Sequence, residues 1–344
     1  MAYTTINKPS LHFNTKLYTG NNGTHAITGV GFQPDFVWLK PRNSADNHRL
    51  MNAVRGADQY LLTNTTGAES ATGSNFASFD SDGFTLGGSD GGWNSSSYNY
   101  VSWNWKANGQ GSSDTNGSIN SIYTSANTTA GFSLVSYTGT GSNATVGHGL
   151  GVAPKVVFIK RTSATSQWVF GHKDLGFTKF LELNLTGAAQ TNSNRFNDTD
   201  PTSTVFSIGT EGDVNASGQT YVAYCFAEKT GFSKFGTYVG NQNDDGPFIY
   251  TGFKPAWIML KNSSDAQDWQ MNDNRRPGYN YNHYLIANTT AAEVSADNWI
   301  DITSNGFKLR KGQTQSNRSD DTYIYMAFAE APIVGSNNIP ATAR

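Results

Sequence analysis

The chain has a single cysteine, Cys225, among its 344 residues. That excludes an intrachain disulfide and any multi-cysteine metal site. Charge is scarce as well: charged residues are 15% of the chain, against roughly 25% in an ordinary soluble domain. The 24 Lys and Arg nearly balance the 26 Asp and Glu and form no cluster. Nucleic acid is therefore not expected as a partner, because phosphate neutralisation needs grouped cations. No apolar run approaches the roughly 18 residues of a membrane span, so no membrane insertion is expected. Met1 to Ser10 lack an apolar signal core, and classical secretion is not expected. Disorder is excluded by what is abundant: 20 Phe, 16 Tyr and 8 Trp, where disordered chains carry few aromatics.

Length suggests two or three domains, and internal repetition makes it three. A Pro followed six residues later by Lys, with an apolar stretch between, occurs at Pro34–Lys40, Pro154–Lys160 and Pro255–Lys261. A second block follows as Tyr60-Leu61-Leu62-Thr63-Asn64, Phe180-Leu181-Glu182-Leu183-Asn184 and Tyr284-Leu285-Ile286-Ala287-Asn288. A third block closes each copy: Tyr100 to Trp105, Tyr221 to Phe226 and Tyr323 to Phe328. The spacing assigns an N-terminal arm at 1–10 and copies at 11–108, 131–229 and 230–331. Between the first two copies lies a Gly/Ser/Asn/Thr-rich segment, 109–130, which reads as a flexible linker. Residues 332–344 form a tail. Arm and tail are polar and are expected to order on a partner.

Each copy reads as all-β. Short runs of Val, Ile, Phe, Tyr and Trp recur every ten or so residues between Gly, Asn, Asp and Ser. The closing strand alternates, with Val101, Trp103 and Trp105 on one face and Tyr100, Ser102 and Asn104 on the other. The second copy places Val222, Tyr224 and Phe226 on the first face, and the third Ile324, Met326 and Phe328. Large residues in all three copies mark that face as core. Lys155 to Lys160 is nearly all apolar and is expected to be buried on both faces. The expected fold is three tandem small antiparallel β-sandwich domains of jelly-roll type.

The strings Gly-Phe-Gln-Pro-Asp-Phe-Val-Trp-Leu-Lys, Phe-Asp-Ser-Asp-Gly-Phe-Thr-Leu-Gly, Thr-Tyr-Val-Ala-Tyr-Cys-Phe-Ala-Glu and Tyr-Ile-Tyr-Met-Ala-Phe-Ala-Glu-Ala-Pro carry a resemblance. They are similar to a repeat found in virion structural proteins of marine bacteriophages, described as tail-fibre-like or concanavalin-like. The likeness spans residues 12 to 332. It implies a virion surface protein, made in the host cytoplasm and released by lysis. It implies no catalytic or binding site.

Candidate sites are few. Phe79-Asp80-Ser81-Asp82-Gly83-Phe84 has the spaced carboxylates of a calcium loop. The third copy has Ser304-Asn305-Gly306 there, which keeps the turn and loses the charge, so a β-turn is preferred and no metal is assigned. Asp244-Asp245-Gly246 is read the same way. Trp103, Trp105, Trp38 and Trp257 are read as core. Two aromatic loops stand apart: Asp90 to Tyr98, carrying Trp93 and Tyr98, and Arg275 to His283, carrying Arg275, Arg276, Tyr279 and Tyr281. Rings among Asn and Arg are the chemistry of binding loops, and packing against a neighbouring subunit is the competing reading. Arg55 and Arg276 occupy similar places, and an ion pair with a neighbour is preferred there. Lys40, Lys160 and Lys261 are assigned to strand ends, and Cys225 is a buried filler.

Six histidines show no metal or catalytic spacing, and no carboxylate pair recurs across the copies as a glycosidase would need. No enzyme activity and no cofactor are expected. The expected role is a tail-fibre or surface-appendage protein for host recognition, with loops binding a surface polysaccharide weakly and repetition raising avidity. The alternatives are a capsid decoration or tail-attached structural protein, and more weakly a polysaccharide-degrading enzyme. Other virion proteins are the expected partners, in a homo-oligomer with a trimer favoured.

Overall fold

The computed structural model describes residues 3–276, 282–296 and 299–334. The protein is all-β, with three four-residue α-helices and two 3-10 turns as its helical elements among the described residues. The first repeat has nine strands: β1 (Phe13–Thr19), β2 (His25–Ile27), β3 (Phe36–Pro41), β4 (Arg49–Asn52), β5 (Gly56–Leu62), β6 (Ser70–Ala71), β7 (Phe76–Asp80), β8 (Gly83–Leu86) and β9 (Asn99–Trp105). A six-stranded antiparallel sheet runs β1-β9-β3-β4-β5-β6, and a smaller sheet runs β2-β8-β7. The two pack as a sandwich around Ile27, Val37, Leu39, Met51, Phe84 and Tyr100.

The same wiring returns twice. The second large sheet orders Phe132–Thr138, Thr220–Phe226, Val156–Arg161, Val169–His172, Lys179–Glu182 and Gln190–Thr191. The third orders Ser233–Val239, Thr322–Pro332, Phe253–Asn262, Gln270–Asp273, Asn282–Ile286 and Val294–Ala296. The small sheets are Ala144–Gly147 with Val205–Ile208, and Phe248–Tyr250 with Gly306–Leu309 and Ile300–Thr303. The second repeat lacks the third small-sheet strand and has the short helix Ser193–Phe196 in that stretch.

The alternation of the closing strand is as expected, but the face it marks belongs to a larger core. Val101, Trp103 and Trp105 do not point into their own sandwich. They meet Val222, Tyr224, Phe226, Met326 and Phe328 in one cluster shared by all three repeats. The opposite face, represented by Tyr100 in the first repeat and by Tyr221, Ala223 and Cys225 in the second, fills the individual sandwiches. Each large sheet is thus buried on both faces, which explains the nearly unbroken apolar run Val156–Lys160, buried throughout.

The repeats close into a ring. Phe13 of the first stacks on Phe328 of the third at 5.3 Å between ring centroids. Phe132 of the second lies 6.0 Å from Phe36 of the first, and Phe235 of the third 6.1 Å from Phe226 of the second. Backbone bonds repeat the cycle. Ser166 N–H donates to the Thr66 carbonyl, Gln267 N–H to Thr186 and Asp46 N–H to Thr290, each at 2.9 Å. In the other direction, Glu69 N–H donates to the Thr162 carbonyl, Ala189 N–H to Ser263 and Glu293 N–H to Arg42. On one side of each joint the two bonding residues are three apart (Thr66 and Glu69, Thr186 and Ala189, Thr290 and Glu293), and on the other four apart (Thr162 and Ser166, Ser263 and Gln267, Arg42 and Asp46): these are one joint, built three times.

Two segments expected to be loose are folded. The stretch 109–130 is no flexible linker. Its Tyr123–Asn127 joins the outer edge of Phe132–Thr138 as a seventh strand. Ile119 is buried and bridges to Val146, with its N–H donating to the Thr145 carbonyl at 3.0 Å. Buried Asp35 holds the start of this segment, accepting from the Ala107 and Gly109 N–H groups at 2.7 and 3.0 Å. The reading from composition failed because Ser and Thr hydroxyls here satisfy backbone groups: Ser121 Oγ accepts from Asp114 N–H. The N-terminal arm is likewise packed. Thr4, Ile6 and Pro9 are buried, Ile6 within the shared core, and the Tyr3 hydroxyl donates to the Gly252 carbonyl at 2.9 Å.

Candidate functional site

Trp93 is not an exposed platform; it is 2% exposed. Its ring meets Tyr60 edge-on at 5.2 Å, and the Arg49 guanidinium lies 5.2 Å over it. Tyr98 is half-buried against the same cluster, its ring over Gly91, where a Cβ would come within 2.9 Å. The loop Asp90–Tyr98 is the first repeat's version of the turns Gly212–Asn215 and Thr314–Asn317. In each, the first-strand and closing tyrosines stack: Tyr18 on Tyr100 at 4.8 Å, Tyr137 on Tyr221 at 5.1 Å and Tyr238 on Tyr323 at 5.0 Å. The closing hydroxyl donates to a carbonyl of the loop (Gly91, Gly212, Thr314) and accepts an N–H from it (Ser95, Ala216, Arg318). Buried Asn94, Asn215 and Asn317 accept from the N–H groups of Asn21, Thr140 and Asn241. The readable signal is an Asn six residues before each closing Tyr; the Trp beside it hid the pattern.

Arg276 is also buried, at 1% exposure. Its Nε donates to Asp273 at 2.7 Å and its other nitrogens to Glu293 and the Met271 carbonyl at 3.2 and 2.9 Å. Its guanidinium lies over the Trp103 ring of the first repeat at 5.7 Å, and Trp103 Nε1 donates to Asp273 at 3.0 Å. Arg42 of the first repeat grips both oxygens of Glu293 at 2.9 and 2.8 Å, and His283 adds a contact at 2.8 Å. Burial pushes the Glu293 carboxyl up, but the Arg42 hydrogen bonds with Arg276 and His283 alongside leave it below the usual carboxylate range. Arg55 makes the matching set in the first repeat, to Asn52, Leu50 and Glu69. Arg55 and Arg276 are thus ion-paired, but within their own repeats rather than with a neighbour, because their carboxylates (Glu69; Asp273 and Glu293) belong to the same copy; the pair that crosses a joint is Arg42 with Glu293. Arg276 is withdrawn as a ligand-binding residue. Arg275 is exposed and borders a notch of about 280 Å³ with Asn14, Lys16 and Gly29. Tyr279 and Tyr281 lie outside the described residues.

Two of the three recurrent lysines serve the joints between repeats. Lys160 Nζ donates to the Thr66 carbonyl and Lys261 Nζ to Thr186, both at 2.9 Å and both across a joint. Lys40 Nζ turns to Pro41 and Ser44 at 2.8 and 3.1 Å. Burial lowers their ammonium pKa values to about 8, about 7 and about 8 for Lys40, Lys160 and Lys261. Beside them, Trp168 and Trp269 donate Nε1–H to the Leu62 and Glu182 carbonyls of the preceding repeat at 2.9 and 3.1 Å. In the first repeat His48 takes that place, donating from Nε2 to Ile286 at 2.9 Å while Nδ1 accepts from Trp38. Burial first, and Lys40 nearby, hold His48 well below the ordinary histidine pKa, so it stays neutral.

The acidic turns are structural. Asp82 accepts from the Gly29 and Gly31 N–H groups at 2.9 and 2.7 Å, and these bonds lower its pKa. Asp244 accepts from Gly312 N–H, and Asp245 pairs with Lys308. No group of three or more His, Cys, Asp or Glu among the described residues is placed to hold a metal ion. Cys225 is buried, and burial pushes its thiol pKa far up.

One exposed feature was not anticipated from the sequence. Phe248 and Tyr250 flank buried Ile249 on an outer strand of the third small sheet, and are 47% and 53% exposed. The alternation Phe-Ile-Tyr was the available signal, masked by the neighbouring Asp-Asp-Gly turn.

A family described as a domain of unknown function, DUF7483, matches residues 8–332. The chain belongs to the DUF7483 family. No curated protein matches it. The DUF7483 match runs from the buried arm to the last residue of the third closing strand, which takes in all three repeats and the folded insertion together.

Proposed function

We propose that the chain is a non-enzymatic structural protein of a bacteriophage particle, a tail-fibre or other surface appendage that contacts the host. The observation that supports this reading is the closed ring of three two-faced sheets. Buried ionisable side chains brace its joints, as Arg42 on Glu293 and the Lys160 and Lys261 bonds to the preceding repeat show. A scaffold of this kind transmits load and presents outer surfaces, and the resemblance to phage repeat proteins supplies the setting. Other virion proteins are the proposed partners, and a host-surface polysaccharide the proposed ligand.

Gold-labelled antibody on purified particles tests the proposal. Label on tail or fibre supports it, label over the capsid lattice replaces it with a decoration protein, and absence from the particle overturns it. Incubation with capsular polysaccharide followed by size-exclusion chromatography tests the non-enzymatic reading: unchanged polymer length is expected, and shortening would install a depolymerase. Sedimentation of the purified chain tests further assembly, with a trimer expected at micromolar concentration.

A further inference from the structure

We infer that Phe248 and Tyr250 form a sugar-binding platform that takes a pyranose ring of an oligosaccharide; this rests on the reading of the chain as a surface-contacting protein. The two rings sit at alternate positions of one strand and so share the outer face of the small sheet. Matching the pairs Ile27–Phe84, Val146–Phe206 and Ile249–Phe307 aligns the three small sheets. At the place of Phe248 the other repeats have Ala26 and Thr145, and at that of Tyr250 they have Thr28 and Gly147. The fold thus does without rings there twice. In the second repeat the inserted segment lies against this place, with Ser118 N–H donating to Thr145 Oγ1 at 2.9 Å. In the first repeat small side chains occupy it. Only the third repeat puts aromatic surface there.

The rings are also supported from behind. A Cβ at Gly306 would lie 3.2 Å from the Phe248 ring, so that ring rests across the glycine of the neighbouring strand. Gly252, at φ +84°, leaves room for the Tyr3 hydroxyl and lies beside the Tyr250 ring. The Tyr3 hydroxyl in turn engages Tyr250. An aromatic ring held in place with one face free presents apolar area at little entropic cost. Polar groups lie at the margin: Lys308, cross-strand from Phe248, and Asp245, 81% exposed and paired with it at 2.7 Å. Apolar faces bordered by a few hydrogen-bonding groups match a sugar, whose C–H face is apolar and whose rim is hydroxyl.

The test is saturation-transfer NMR on the full chain with maltohexaose, cellohexaose and chitohexaose as probes, alongside the F248A/Y250A variant and an L185A control. We expect transfer to the ring protons of at least one probe. The double variant should raise its dissociation constant at least roughly tenfold and L185A should not change it, with circular dichroism unchanged in both. Silence across all three probes, or binding that survives F248A/Y250A, overturns the inference. Mass spectrometry of purified particles separates this from the proposed function. A chain present in particles with no sugar signal sinks the platform alone; a chain absent from particles sinks the function and leaves the sugar result standing. If the parent chain shows no sugar binding but F248A/Y250A abolishes incorporation into particles, the surface is a protein contact and the inference fails.

Discussion

Tyr100, Tyr221 and Tyr323 each do two things through one hydroxyl. Each donates to a loop carbonyl and accepts a loop N–H, with the ring stacked on a partner tyrosine. Removing the oxygen orphans both loop groups in a buried setting. Tyr221→Phe should therefore destabilise the protein by about 1–3 kcal/mol, read as a lower urea midpoint with an unchanged slope. The buried lysines make a second prediction at this scale. Their pKa values in the folded protein, about 7 to about 8, lie below the ordinary 10.5. The unfolded chain thus binds more protons across that interval, and stability from these groups rises with pH. Urea unfolding from roughly pH 7 to 9 should show that rise, and Lys160→Met should lessen it while the Lys40 and Lys261 contributions remain. A fall in stability over that window would refute the assignment. Trp105, 2% exposed where the repeats meet, should cost about 3–5 kcal/mol when replaced by Ala.

At the scale of the element, periodicity was legible and destination was not. Alternation located the closing strands and their large-residue faces, and the Pro-to-Lys blocks became the central strands Phe36–Pro41, Val156–Arg161 and Phe253–Asn262. Alternation cannot say whether a buried face meets its own small sheet or a neighbour's, because both surroundings are apolar; Trp103 and Tyr224 belong to the second kind. The same limit put Trp93 on a surface it does not reach. The insertion escaped because its order comes largely from strand pairing and from side-chain hydroxyls bonding to backbone, as at Ser121, with a single large buried apolar residue, Ile119, too little apolar signal to mark it. Brief proteinase K treatment checks its order: the chain should resist cleavage between Ile119 and Asn127. Rapid nicking there, with the rest intact, would return the segment to the status of a tether.

The whole molecule is three sandwiches that share a core, and this changes what a repeat is. A domain that could stand alone would bury its apolar surface internally. Here the inner face of each large sheet finds its partners only in the other two. Residues 131–229 expressed alone should therefore be insoluble or bind hydrophobic dyes, although they span one complete copy. A soluble monomer with a cooperative melt would contradict the shared core.

The aromatic pair at Phe248 and Tyr250 draws its meaning from the covalent joining of the copies. An assembly of separate identical chains must display any outward feature at every equivalent corner or at none. With the corners strung on one polypeptide, each can drift independently: one has been overlaid by added chain, one kept plain, and one given a pair of rings. The molecule is therefore alike three times over at its centre and different at each of its outer corners.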